Sequence, residues 1–204
     1  QVREAVGDEI LSQNLISEIL FSPPEDLGIL HKWKDIGLNS TEFESEVVDP
    51  AYFKAICPAK GEKGRWNEAM FASAEVFGRG RGATSGIVTG IEPMAGLLER
   101  IEELVAGGVF PQLFTFNPVP GTIMGGMMPP SAAWFVEAAE KIADIYFKYA
   151  DTFDVDLTED TRFGSTRKGR SYHSSIVDDE MCRRLQEMGK LGPGLPKQDG
   201  IEMA

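Results

Sequence analysis

Four short segments along the chain, some apolar throughout and some mixed, have the length and pattern of β-strands. Each holds seven to nine residues and is followed at once by serine, glycine or proline. In the second segment Phe43, Ser45 and Val47 alternate with glutamates, which is the period-two pattern of a strand with one buried face. The predicted strands are Leu15–Phe21, Thr41–Asp49, Ala83–Thr89 and Phe110–Asn117.

Helical periodicity separates these strands. Across Arg65–Phe77, large apolar residues recur at spacings of three or four and predict one buried stripe. Ser131 is a suitable N-cap for a later helix, and Ser22 for an earlier one that has prolines in its first turn. The predicted helices are Ser22–Gly37, Arg65–Phe77, Met94–Ala106 and Ser131–Ala150, and the segment Pro50–Gly64 is predicted to be a loop.

The alternation of strands and helices with short connections predicts an α/β fold, with a parallel sheet and helices packed on it. Four strands do not close a barrel. Residues 1–150 form the predicted domain. Residues 151–204 carry few large apolar side chains and are predicted to be a mostly irregular C-terminal tail with a short helix at 178–188.

Charge and hydropathy narrow the class of partner. The 204 residues carry a formal net charge of −12, which disfavours nucleic acid or an anionic membrane as a partner because both need a basic surface. The basic cluster Arg162–Arg170 is interrupted by glycine and serine and is interpreted as solvated charge. No apolar run of about 18 residues could span a bilayer, and no secretory pattern is recognisable, so a cytoplasmic location is predicted.

The cysteines and histidines show no metal-binding pattern. Cys57 and Cys182 are far apart in sequence, with neither paired ligand spacing nor a disulfide framework, and are predicted to be free thiols in a reducing compartment. His31 and His173 have no companion at ligand spacing and are interpreted as surface or packing residues. Because the chain begins with Gln1 rather than Met, it is expected to be a piece of a longer protein.

The end of the third strand is the first candidate site. Gly86, Val88 and Gly90 are followed directly by Ile91 and Glu92. Glycine lets a ligand approach the backbone closely, but a tight turn between strand and helix requires it equally. Both interpretations stay open from the residues alone.

The end of the fourth strand is the second candidate site. The segment 117–122 reads Asn-Pro-Val-Pro-Gly-Thr, a rigid turn at the edge where a parallel sheet presents its ligand-binding loops. An ordinary Pro-Gly turn is the alternative. The following methionine-rich run, 123–130, either contacts a substrate or covers the core.

Taken together, these two strand ends resemble the fifth and sixth strands of the radical S-adenosylmethionine (SAM) barrel, in the branch of biotin synthase, thiazole-forming tyrosine lyase and the hydrogenase-maturation enzymes. The first is similar to the family's GXIXGXXE motif, although Glu92 arrives one residue early and Pro93 takes the usual place of the acid. The resemblance implies a partial (β/α) barrel, that is an incomplete TIM-like barrel. It also implies SAM contacts at Val88, Gly90, Ile91, Glu92, Asn117, Pro118, Gly121 and Thr122.

The second strand and the segment after it are similar to the part of the family that holds the amino, ribose and carboxylate groups of SAM. Glu44 and Glu46 share one face of the strand, and burying both carboxylates in a barrel is costly unless they bind something; an exposed strand face is the alternative. The resemblance implies that these glutamates bind the amino group or ribose, and that Lys60 or Arg65 pairs with the carboxylate. Lys63 is interpreted as a solvated loop charge.

The CxxxCxxC loop that holds the family's 4Fe–4S cluster is absent from the sequence. The resemblance therefore implies a C-terminal portion of a radical SAM enzyme that binds SAM and part of a small-molecule substrate. The cluster would come from a missing N-terminal segment or a partner subunit, so the chain alone is expected to be inactive. Two alternatives stay open: a cluster-free barrel relative that binds a ligand or partner, and a fragment of another (β/α) barrel enzyme.

Overall fold

The computed structural model describes residues 18–80, 82–154 and 176–190. Four strands form one parallel sheet in the order β1-β2-β3-β4. They are Glu18–Leu20 (β1), Ser40–Glu42 (β2), Ala83–Thr89 (β3) and Phe110–Thr115 (β4). The mixed α/β class with a parallel sheet, predicted from the alternation of apolar patterns, is confirmed.

Helices connect and cover these strands. In the described ranges they are Ile29–Asp35 (α1), Pro50–Ile56 (α2), Lys63–Phe77 (α3), Met94–Ala106 (α4), Ala132–Tyr149 (α5) and Ile176–Glu187 (α6), with 3-10 turns at Pro58–Lys60 and Ala150–Thr152. The last helix, α6, lies where the sequence indicates a short helix in the tail. Within the described ranges, no helix combines the length and the apolarity needed to cross a membrane.

One hydrophobic core joins the sheet to the helices. Ile87 on β3 and Leu113 on β4 are fully buried, together with Met70, Ile101 and Ile142 on the three long helices. Burying a side chain of this size stabilises the fold by about 1.5–3 kcal/mol. The apolar side of α6 enters the same core; its buried residues are Val177, Met181, Cys182 and Leu185.

The prediction of a loop at Pro50–Gly64 is wrong, because its first half is the helix α2. The side chain of Asp49 caps this helix: its Oδ1 accepts hydrogen bonds from the backbone N–H groups of Ala51 (2.7 Å) and Tyr52 (3.1 Å). Pro50 occupies the first turn, where its missing N–H is not needed. The Asp-Pro pair is a recognisable start signal that the prediction overlooked.

The first helix is also shorter than predicted. It begins at Ile29 after Gly28, not at Ser22. The Asp26 carboxylate accepts a hydrogen bond from the Gly28 N–H (2.9 Å), so the turn before the helix is closed by an aspartate and not by the predicted serine cap. The two prolines therefore lie in an irregular segment ahead of α1.

The second strand ends earlier than predicted but keeps its alternation. The regular ladder stops at Glu42, and the chain rejoins β3 only through an isolated bridge between Glu46 and Ile87. The alternating glutamates are half-buried while the residues between them are buried. After the bridge, Val47 and Val48 are both buried, which strict strand alternation does not allow. The bend that makes this possible lies at Glu46.

Candidate functional site

The segment just after β2 is held in a strained conformation. Glu46 has φ of 62° and is the one non-glycine residue with positive φ in the part of the chain that the structure describes. The backbone of β3 fixes it there, because Glu46 N–H donates to the Gly86 carbonyl (3.0 Å) and Val88 N–H donates to the Glu46 carbonyl (2.6 Å). A left-handed glutamate costs about 1–2 kcal/mol, and such strain often marks functional positions.

Glu46 and Lys60, two of the predicted site residues, form an ion pair. Lys60 Nζ donates to Glu46 Oε1 (2.6 Å) and to the backbone carbonyl of Glu44 (2.6 Å). The ammonium also lies 4.9 Å from the centre of the Trp66 ring, whose indole N–H donates to the Lys60 carbonyl (3.0 Å). The two charged side chains are 28% and 35% exposed, so a solute can reach both.

Lys63, one turn further on, is buried and lacks a hydrogen-bond partner. Its exposure is 5%, and its Nζ finds no acceptor among the described residues. The ammonium lies 5.3 Å from the centre of the Phe53 ring. Burial lowers the pKa of Lys63 to about 8, while the nearby Glu92 carboxylate acts in the opposite direction. The prediction of a solvated loop charge is therefore wrong.

A sequence signal for this burial existed. Lys63 stands three residues before Trp66 and seven before Met70, so it extends the apolar stripe of α3 by one turn. The helix begins two residues earlier than predicted, and this moves Lys63 from the predicted loop onto the buried side of the first turn.

Glu92 is bound to the protein through both carboxylate oxygens. Oε2 accepts from the Val48 N–H (3.0 Å) and Oε1 from the Asp49 N–H (2.5 Å). Burial raises the pKa of Glu92, although the two amide hydrogen bonds act to lower it. The carboxylate thus ties the turn after β3 to the start of α2. Its implied contact with SAM stays a prediction.

Glu44, two residues after the end of β2, faces β3 at Gly86. A Cβ built on Gly86 would lie 3.3 Å from Cγ of Glu44 and 3.5 Å from the Phe114 ring. At the end of β2, the pKa of Glu42 is raised to about 7, first by burial and then by repulsion from Glu18 and Glu44. This face is half-buried, so the alternative of a freely exposed strand face does not describe it.

Gly90 is required by the turn and by the packing of α5. Its φ is 97°, and a Cβ there would lie only 2.9 Å from the Phe135 ring and 3.0 Å from Pro130. Beside it, Val88 is half-buried and Ile91 packs partly buried against the core. These contacts explain why glycine stands at position 90 without any need for a bound ligand.

The remaining predicted residues lie at the surface. Arg65 is exposed in the first turn of α3. Asn117, Gly121 and Thr122 are exposed and Pro118 is half-buried. The Thr122 hydroxyl donates to the Val119 carbonyl (2.7 Å), so this segment is a closed turn whose outer side chains face solvent.

The methionine-rich run does not cover the core. Ile123 is 102% exposed and Met128 90%, and Met127 is 43% exposed. The interpretation of this segment as a lid over buried apolar residues is therefore wrong for these side chains. Contact with a substrate is the alternative that stays.

No metal centre is formed by the described residues. Within those ranges, no group of three or more His, Cys, Asp or Glu side chains is placed to hold a metal ion. Cys57 is half-buried, and burial raises the pKa of its thiol, which disfavours the reactive thiolate.

Comparison with known proteins gives one informative similarity. No protein-family model matches the chain. The chain is similar to bacteriochlorophyllide c C-7(1)-hydroxylase of Chlorobaculum limnaeum, with 48% identity over 191 residues, which is 92% of this chain and 47% of that protein. The chain thus spans about half the length of the curated relative that it matches.

Proposed function

We propose that this chain is a portion of a radical SAM enzyme that binds SAM and acts on a tetrapyrrole substrate. One observation carries the SAM part: an accessible ion pair, Glu46–Lys60, stands at the carboxyl edge of the sheet on a strained residue. Parallel sheets bind their ligands at this edge. The tetrapyrrole part rests on the relative, whose name gives bacteriochlorophyllide c as its substrate.

The strand order supports a partial barrel as the framework of this site. Each strand pairs with the next one along the chain, from β1 to β4. A barrel grows in this way, whereas a doubly wound sheet reverses its order and creates a switch point. We therefore propose that the sheet is an arc of a (β/α) barrel, with the glutamate face directed to the inside.

The Glu46–Lys60 pair fits the amino-acid end of SAM. That end carries one ammonium and one carboxylate, the charges that Glu46 and Lys60 complement. On binding, the ligand would replace one internal pair by two charge-assisted contacts. Gly90 and the turn 117–122 would border the adenine, as the family resemblance implies. When bound, SAM supplies the chemistry that removes hydrogen from an unreactive carbon.

The iron–sulfur cluster does not fit the described residues, because they hold no group of three suitable ligands. We therefore assign the cluster to a part of the protein other than these residues, and derive no step through it. The role that we propose for this chain is to orient SAM by its charges.

The test is a calorimetric titration of SAM into the complete protein that contains this chain. Glu46→Gln and Lys60→Ala each remove one charge-assisted contact, worth about 1.5–3 kcal/mol, so each should weaken binding about 10- to 150-fold. Arg65→Ala shows whether the exposed arginine shares the carboxylate. Lys148→Ala, which breaks an exposed ion pair with Glu102, is the matched control and should leave the affinity unchanged.

Unchanged SAM affinity in all three site variants would contradict the proposed site. Iron analysis of the anaerobically purified complete protein separates the enzyme from a cluster-free relative. A protein that binds SAM without iron would support the cluster-free alternative instead.

A further inference from the structure

Resting on the proposed function, we infer that the exposed loop Val119–Met128, here called the methionine loop, is the docking surface for one flat apolar face of the tetrapyrrole macrocycle. Val119 is 55% exposed, Met127 43%, Met128 90% and Ile123 102%. Four large apolar side chains in water on one short segment are uncommon in soluble proteins, and such patches mark binding surfaces.

Hydrogen-bonded turns hold the methionine loop in its exposed conformation. Successive turns close it: Thr122 N–H donates to the Val119 carbonyl (3.2 Å), Gly125 to Thr122 (3.0 Å) and Met127 to Met124 (3.0 Å). A Cβ on Gly125 would lie 2.5 Å from the Val119 carbonyl oxygen, so the loop doubles back on itself tightly. The turns fix the backbone and direct the apolar side chains outward.

The methionine loop lies at the same edge of the sheet as the candidate site. It follows β4 at the carboxyl edge of the sheet, the edge that also carries Glu46. Just beyond the loop, Pro130 and Phe135 pack onto the Gly90 turn. A planar ligand on the methionine loop would therefore border the strand ends where SAM is proposed to bind.

The lack of charged residues in the methionine loop favours an uncharged, polarisable ligand surface. No charged residue stands between Glu103 and Glu137 in the sequence, so the loop itself supplies no side chain that pairs with an ionic group. Binding to an anionic membrane surface usually needs lysine or arginine beside the apolar residues, and the loop carries neither. Methionine adapts to flat conjugated surfaces, and its sulfur contacts aromatic rings favourably. A chlorin ring offers such a surface.

The experiment titrates bacteriochlorophyllide c into the complete protein and follows tryptophan quenching and the chlorin absorbance bands. The double variant Ile123→Ser/Met128→Ser should weaken binding at least tenfold, and Ile123→Leu/Met128→Leu should stay within about threefold of the wild type. Ile36→Ser and Met188→Ser remove apolar side chains that are 62% and 53% exposed elsewhere, and should leave binding unchanged. Because all four positions are at the surface, the variants should fold.

The outcomes separate this inference from the proposed function. If the wild type binds the chlorin and the serine double variant binds it equally well, the inference is overturned, whatever happens with SAM. It is also overturned if the double variant changes only the oligomeric state in light scattering, which would make the loop an interface between copies. Chlorin binding that depends on the loop in a protein without SAM affinity would support the inference while the SAM assignment fails.

Discussion

The two ends of the parallel sheet differ in how one cationic side chain at each end is bonded, Arg79 at the amino end and Lys63 at the carboxyl end. At the amino end, every part of Arg79 is bonded. Its guanidinium donates hydrogen bonds to the backbone carbonyls of Ala106, Gly107 and Thr152. Its backbone N–H donates to the Asp154 carboxylate. One side chain thus joins the turn before β3, the end of α4 and the segment after α5.

The carboxyl end is the opposite case. It holds a left-handed glutamate, a buried amine without an acceptor and a loop with apolar side chains in water. Each of these features costs stability, and none is required by the sheet itself. In (β/α) barrels the amino face serves stability, whereas the carboxyl face carries the chemistry. The difference between the two ends is therefore the one that the proposed barrel predicts.

Removing the Arg79 side chain at the amino end of the sheet should have the largest effect on stability. Arg79→Ala leaves the carbonyls of Ala106 and Gly107 at the end of α4 without their charged donor, and should lower the free energy of unfolding by about 2–3 kcal/mol. Urea unfolding measures this. Arg100→Ala, which removes an exposed arginine paired with Glu103 within α4, is the matched control and should change stability far less. SAM affinity should be unchanged in both; a loss of SAM affinity in Arg79→Ala would erase the contrast between the ends.

Replacing the unpaired amine at the carboxyl end should stabilise the protein. The pKa of Lys63 falls from 10.5 to about 8 on folding, a difference of 2.5 units, or about 3 kcal/mol at neutral pH. Lys63→Met keeps the side-chain length but also takes a positive charge away from Glu92. The expected net gain at pH 7 is therefore smaller, about 1–2 kcal/mol.

The pH dependence gives this prediction a second measurement. Between pH 8 and 10.5 the unfolded chain holds a proton on Lys63 that the folded chain has lost, so wild-type stability should rise with pH in this window relative to the variant. Below pH 8 the lysine is charged in both states and the difference is constant. Lys54→Met on the exposed side of α2 is the control and should show neither effect. A destabilised Lys63→Met variant would mean that the ammonium is satisfied.

The sequence predicted the regular elements well where one physical pattern dominates. Strand β3 and helix α4 have the predicted bounds, because glycines stand on both sides of the strand, Gly82 and Gly90, and a clean apolar stripe defines the helix. The errors lie where local chemistry overrides periodicity. The Asp49 side chain caps a helix that begins where a loop was predicted. The left-handed bend at Glu46 interrupts the predicted strand, and alternation of polar and apolar residues does not reveal it.

The candidate site was predictable only in part, for a related reason. Glu46 and Lys60 were identified by resemblance, and the structure brings them together. Lys63 was missed because its burial depends on where α3 begins, to within one turn. The exposure of Ile123 depends on the turns that fold the methionine loop. An apolar sequence alone is equally compatible with a segment that covers the core.

The smallest expected effect on stability, and the sharpest test of the contrast, is Glu46→Asn. Asparagine tolerates the left-handed region better than glutamate, so relief of strain should contribute about 0.5–1 kcal/mol. Loss of the partly exposed ion pair with Lys60 costs about 0–1 kcal/mol, and the two effects should nearly cancel in urea unfolding. SAM affinity should nevertheless fall about tenfold or more, because the ammonium loses its carboxylate. Glu44→Asn is the control for strain in urea unfolding and not for SAM affinity: in the described chain positive φ outside glycine occurs at Glu46 alone, so asparagine gains nothing at position 44. If Glu46→Asn loses more than about 1 kcal/mol while SAM affinity is kept, the left-handed glutamate serves the fold and not the ligand.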